Sequence, residues 1–286
     1  MAFARPIITA DRAATRIRVA KLRRYVEKNL LTETDFVCSH QADCRDSCRP
    51  GDSFREGTMS HVGRHFDLRA DGKPLRIVVV GQESGFPKGA PALQSHVTLD
   101  ARYQQVHDVT GLEKRYYTTN THKGRNPHMR GTTTALRILM GTDAGTDREG
   151  EFVKPVNDKP FHIFDGFALV NRLLCSAAPP GSSNGRPTGT MFRNCGGHFS
   201  ATMKILEPTI VIIQGRAVAK WVKPLLVGGR TYDDHHHEAF LGKHRMIVCT
   251  FTHPSAHGAH RWGDQPTAPY IADVVRPTLR KALIQS

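Results

Sequence analysis

The chain has 286 residues, 39% of them hydrophobic, which is enough for a sizeable core and suits one large domain. Lys and Arg total 40 against 26 Asp and Glu, and the resulting formal charge of +14 favours a polyanionic partner such as nucleic acid. No apolar run reaches the roughly 18 residues that a membrane span needs, and no secretory signal opens the chain, so the expected setting is cytoplasmic, beside the nucleoid in a prokaryote.

Residues 11–31 predict a basic amphipathic helix, with Ile17, Leu22, Tyr25, Val26 and Leu30 near one face. Residues 32–65 read as loop. The β-branched run at 75–81 predicts a parallel strand buried on both faces. Residues 84–130, polar and rich in Gly, Pro and His, predict loop, and a helix follows at 132–140. A second strand is expected at 164–174, then a Pro/Gly/Ser loop over 176–194 and a helix closing at 199–206. A third strand at 209–214 leads into a helix at 216–226, and 227–242 reads as a His-rich turn or hairpin. A fourth strand at 246–252 and a C-terminal helix at 267–285 complete the chain. Strands alternating with helices predict one α/β domain, a three-layer α/β/α sandwich with a central, mostly parallel four-stranded sheet, expected to be a monomer.

In such sheets ligands sit beyond the carboxyl ends of the strands. Gly81-Gln82-Glu83-Ser84-Gly85 follows the first strand, Asn171 the second, and His253-Pro254-Ser255-Ala256 the fourth. A carboxylate, an amide and an imidazole are thereby expected on one rim.

These residues carry a resemblance. The segments 81–85 and 253–256 resemble the two motifs of the uracil-DNA glycosylase superfamily, and 210–217 resembles the strand-turn-helix between them. Asn171 stands four residues before Cys175, a spacing similar to that of the iron–sulfur branch. The resemblance runs from about residue 38 to the C-terminus, with an insertion at 88–128. It implies an enzyme that flips uracil from single- or double-stranded DNA and hydrolyses its N-glycosidic bond, leaving an abasic site. His253 would donate to uracil O2 as negative charge develops there, aided by backbone amides of the Gln82 turn. Glu83 would steady the cationic sugar and orient water. Asn171 would read O4 and N3–H together, with Gly81 and Ser255 shaping the pocket and Phe86 or His128 stacking on the base. The segment His257-Gly258-Ala259-His260-Arg261-Trp262 would enter the duplex behind the flipped base. Two positions depart from the family pattern: Gly85 replaces a Tyr that excludes thymine in some branches, and Glu83 is longer than the Asp that others use.

The six cysteines, without a secretory signal, lean toward metal rather than disulfides. The resemblance implies a [4Fe-4S] cluster with Cys175 and Cys195 as its later ligands. The earlier pair comes from Cys38, Cys44 and Cys48; the tight spacing favours Cys44 and Cys48, with Cys38 able to replace either. Zinc is the alternative, and Cys249 reads as a small buried hydrophobe. His235-His236-His237 predicts a solvated turn rather than a metal site, since adjacent strand residues point to opposite faces. Lys114-Arg115-Tyr116-Tyr117 with Lys123, Arg125 and Arg130 interleaves cations and aromatics suited to phosphate and base contacts. A module that binds damaged or abasic DNA with little catalysis, or a glycosylase for another deaminated base, are the competing expectations.

Overall fold

A computed structural model describes residues 5–85, 93–94, 96–107, 125–140, 143–145, 147, 149–182, 184–263 and 267–286. Its elements are helix α1 (Arg12–Asn29), strands β1 (His61–Val62) and β2 (Ile77–Gly81), helices α2 (Leu99–His107) and α3 (Pro127–Leu139), strand β3 (Phe167–Asn171), helix α4 (Gly189–Leu206), strand β4 (Ile210–Gln214) and helix α5 (Arg216–Val222). A hairpin, β5 (Val227–Thr231) and β6 (His236–Leu241), then leads to β7 (His244–Phe251), and α6 (Arg276–Gln285) ends the chain.

Every residue of β2, β3 and β4 is buried, as continuous apolar runs in a doubly covered parallel sheet require. The four expected strands are neighbours in the order β7-β4-β2-β3, all parallel. The fold is therefore mixed α/β, but the sheet has seven strands, not four, in the order β5-β6-β7-β4-β2-β3-β1. The additions are antiparallel: β1 on β3, and the 227–241 hairpin on β7. Their sequence signal is weak because β1 is two residues long and the outermost strand, β5, is exposed throughout.

Alternate strand residues feed two separate cores. Val78, Val80, Val170, Val211 and Ile213 pack with Leu22 and Val26 of α1 and Met191, Phe199 and Met203 of α4. Ile77, Val79, Leu169, Ile210 and Ile212 pack with Leu136 and Leu139 of α3 and Leu279 and Ala282 of α6. Helices thus cover both faces. The α1 helix starts where the Asp11 side chain accepts the Ala14 N–H, and its Arg18 pairs with Asp67 at 3.0 Å and Glu207 at 3.2 Å. It is docked through Leu22, Val26 and Leu30, whereas Ile17, expected on the same face, is exposed.

Two boundaries differ in ways that matter for the site. The α3 helix begins at Pro127, five residues ahead of the expected 132, because Asn126 caps the Met129 N–H and proline is pre-set for a first turn. That places His128 in the first turn. The α4 helix begins at Gly189, capped by Thr188, so residues 189–194, expected as loop, are helical and Cys195 lies inside the helix. The pair Gly196-Gly197 masks that helix in the sequence. Helix α2 was likewise hidden in the polar 84–130 stretch. No helix among the described residues is long and apolar enough to cross a membrane.

Candidate functional site

Parallel register sets Asn171 directly beside Gly81 at the tips of β3 and β2. A methyl group on Gly81 would lie 2.9 Å from Asn171 Oδ1 and 3.1 Å from His128 Nε2. Amide and imidazole therefore converge over bare backbone, which only glycine allows. The His128 and His253 rings are 6.1 Å apart, tilted by 43°. Gly81, His128, Asn171 and His253 thus form one cluster, built from three strand tips and the first turn of α3.

The Asn171 side chain is 9% exposed and has no hydrogen-bond partner among the described residues, so both its donor and its acceptor are available. Gln214, at the tip of β4, bridges Thr132 and His128 when its amide is turned to satisfy both neighbours: the nitrogen then lies 3.2 Å from His128 Nε2 and the oxygen 3.1 Å from Thr132 Oγ1. Gln214 was passed over in the sequence, although the rule that singled out the other strand ends applies equally to it. With Gln214 donating to Nε2, the neutral His128 ring carries its proton on Nδ1. Burial, with repulsion from His253 and Arg102, pushes His128 down to about 3, so the ring is uncharged at neutral pH.

His253 stands at the mouth of the cluster with one edge exposed. The Ser255 backbone N–H donates to its Nδ1 at 3.2 Å, and Ser255 Oγ lies 2.7 Å from the same atom. Nδ1 must then accept, which leaves the proton on Nε2, where no described residue meets it. Desolvation lowers the pKa of His253 and favours this neutral form. Ser255 is therefore a positioning residue for the imidazole.

Glu83 packs beneath a neighbouring loop. A Cβ on Gly185, in the loop before α4, would overlap Glu83 Oε1, so that loop lies directly on the carboxyl group. Gln82 Nε2 donates to Oε1 at 3.4 Å, whereas Oε2 is buried without a partner. Desolvation raises the Glu83 pKa to about 7 despite the Gln82 bond. The backbone of Gln82 accepts the Leu173 N–H at 2.8 Å, tying the turn after β2 to the end of β3.

Trp262 is not a surface residue. It is fully buried, its Nε1–H donates to Thr252 O at 3.0 Å, and it packs edge-to-face on Phe251 at 5.8 Å. The expected insertion of Trp262 into a duplex is corrected by this placement: its area is spent in the core. His257 and His260 remain exposed on the same loop, and Arg261 is half-buried. Arg125 is corrected as well. It is 1% exposed and donates to Glu151 Oε1 at 2.6 Å and Thr133 Oγ1 at 2.9 Å, anchoring the start of α3 instead of reaching phosphate. His162 shares the same carboxylate at 2.9 Å. His236 is buried against Asp233 at the start of β6 rather than solvated. Phe86, Lys114, Arg115, Tyr116, Tyr117 and Lys123 lie outside the described residues.

All six cysteines are free thiols. Cys44, Cys175 and Cys195 are buried in one core cluster, with Cys38 and Cys48 packed at its edge. Burial raises the Cys175 thiol strongly, with Cys195, Cys44 and Cys38 adding repulsion. Burial likewise takes Cys195 up to about 11, again with Cys44 and Cys38 adding to it. Cys48 is absent from both sets of neighbours; its thiol donates to the Cys44 carbonyl at 3.4 Å. Asn194 Nδ2 donates to Cys44 Sγ at 3.6 Å. His198 Nε2 lies 3.6 Å from Cys38 Sγ, and its Nδ1 lies 2.8 Å from Tyr25 Oη. No three His, Cys, Asp or Glu side chains among the described residues stand close enough to hold a single metal ion.

A cavity of about 710 Å³ lies elsewhere, between α1 and α2, lined by Arg16, Arg23, Arg64 and Tyr103 among others. It includes none of the strand-tip residues, so its size does not make it the chemical centre. Neither a protein-family profile nor a curated protein sequence matches the chain.

Proposed function

We propose that the protein is a DNA glycosylase that receives one extruded uracil over Gly81 and hydrolyses the bond between its N1 and the sugar C1′. The observation that carries this reading is the meeting of an unpartnered Asn171 amide with a neutral histidine pair across a glycine that leaves the floor open. Asn171 has the donor and acceptor that uracil O4 and N3–H call for. Cytosine presents the reverse pattern at position 4 and would leave those buried groups unpaired, at a cost of about 1–3 kcal/mol.

As the glycosidic bond breaks, electrons pass to the base and charge gathers on O2. The Nε2–H of His253 is the donor for that oxygen, preset by Ser255, and a preorganised donor of this kind is worth about 2.7–4 kcal/mol. Water supplies hydroxide to C1′ and a proton to the departing uracil. Glu83, once ionised, stabilises the cationic sugar and relays the proton of that water to the uracil anion. The charge of +14 draws in the DNA backbone.

The donor set at the cysteines fits an iron–sulfur cluster held by Cys38, Cys44, Cys175 and Cys195: four free thiols, three buried and Cys38 half-buried, two of them with a nitrogen directed at sulfur. When bound, the cluster would supply a covalent clamp between the N-terminal loop, the end of β3 and helix α4. Zinc is the alternative, since four thiolates also suit one tetrahedral ion.

The test is release of free base, with alkali-labile strand scission, from uracil-containing oligonucleotides, alongside hypoxanthine and undamaged controls. Release from the uracil substrate that disappears in Asn171→Ala is expected; an absence of base release from every lesion overturns the assignment. Tight retention of abasic DNA without release would instead indicate a damage-binding module, a reading that the sequestered Glu83 Oε2 favours.

A further inference from the structure

Arg172 is the residue that the proposed chemistry leaves unexplained. It follows Asn171 just beyond the end of β3, and its side chain reaches the Trp221 and Phe192 carbonyls. The residue is 3% exposed. Its Nε donates to the Trp221 carbonyl at 3.0 Å and its Nη2 to the Phe192 carbonyl at 2.7 Å. Its Nη1 is buried with no partner, and no carboxylate pairs with the guanidinium among the described residues. Phe192 and Phe199 lie against the cation, each ring centre 5.7 Å away. Two other buried arginines are neutralised: Arg125 pairs with Glu151, and Arg137 with Asp147 at 2.8 Å. A buried charge left without a counter-ion is strongly disfavoured.

The missing negative charge lies on the cysteine side. Arg172 stands three residues before Cys175, and a Cβ on Gly196, next to Cys195, would lie 3.5 Å from Arg172 Nη2. Sulfur acceptors facing Asn194 and His198 complete a pocket furnished for anions. Neutral thiols in an apolar core would need neither these donors nor an unpaired cation.

Resting on the cysteine-centre reading above, we propose that Arg172 is the buried counter-charge of an anionic thiolate-bound metal centre at Cys38, Cys44, Cys175 and Cys195. The centre's net negative charge and the arginine's positive charge make each other's burial tolerable, and loss of either leaves the other exposed to the full desolvation penalty. A positive charge beside such a centre also favours its reduced form, since reduction adds negative charge.

The experiment compares the purified full chain with Arg172→Lys and Arg172→Met, measuring iron, acid-labile sulfide and zinc per chain, the rate of metal loss to a chelator, and the midpoint potential. The parent and Arg172→Lys should hold iron with sulfide. Arg172→Met should lose iron at least about tenfold faster and shift the potential to more negative values. Melting curves separate a counter-charge from a merely structural arginine: Arg172→Met should lower the melting temperature of the metal-loaded protein far more than that of the chelated one. Should Arg172→Met fail to fold, Arg172→Gln against Arg172→Lys makes the same comparison. A metal-loaded parent whose retention and potential ignore these substitutions sinks this proposal alone. A parent with neither iron nor zinc sinks the cysteine-centre reading and this proposal with it, whereas zinc in place of iron, still lost in Arg172→Met, upholds the counter-charge and changes only the metal.

Discussion

Glu83→Gln separates what the buried carboxyl does for stability from what it does for chemistry. Burial raises this group from its usual 4.5 to about 7, and the gap corresponds to about 3 kcal/mol. The sign follows from proton uptake. Between these values the folded protein holds a proton on Glu83 that the unfolded chain has released, so stability falls as pH rises through the window. Below about 4.5 both states are protonated and the penalty vanishes; above about 7 it is complete. Glu83→Gln keeps the shape and removes the ionisation. Chemical denaturation at pH 4 and pH 8 should therefore show near-equal stabilities at the lower value and a variant more stable by up to about 3 kcal/mol at the higher. Base release should move the opposite way. The parent's rate should climb through pH 7 as the carboxylate forms, and the variant should be slow and flat over that range. A parent and variant whose stability difference is the same at both pH values, or a variant that releases uracil as fast as the parent, would refute the account of Glu83 as a strained catalytic carboxylate.

Asn171→Ala should lower uracil release by about 10- to 100-fold with affinity for undamaged DNA unchanged; equal loss on both counts would mean a backbone-binding role. His253→Ala should cost about 10²- to 10³-fold in kcat, and Ser255→Ala, which leaves the ring unfixed, a smaller part of that, both read in single-turnover assays. Trp262→Ala should destabilise the fold by about 3–5 kcal/mol through a core cavity, whereas His260→Ala should leave the melting temperature alone and weaken duplex binding; the reverse pattern would contradict the burial of Trp262. Cys38→Ser should strip iron from the purified protein and Cys48→Ser should not, as iron and sulfide assays will show.

The four parallel strands were legible because each is a continuous apolar run, and residues buried on both faces announce themselves without reference to anything distant. Position at strand ends likewise pointed to Gly81, Asn171 and His253, since the chemistry of a parallel sheet concentrates at its carboxyl edge. Chain order could not reveal which side chains turn inward from there. The Glu83 carboxyl lies under Gly185, a residue about a hundred positions away. The aromatic expected to enter DNA fills the core beside Phe251 instead. The contact of Cys44 with Asn194 depends on how the short helix Gln41–Asp46 sets down against α4, which spacing does not announce. Local sequence fixes local backbone and burial tendency; charge pairing, proton placement and metal-ligand grouping depend on contacts between distant segments, and those exist only once the sheet has assembled.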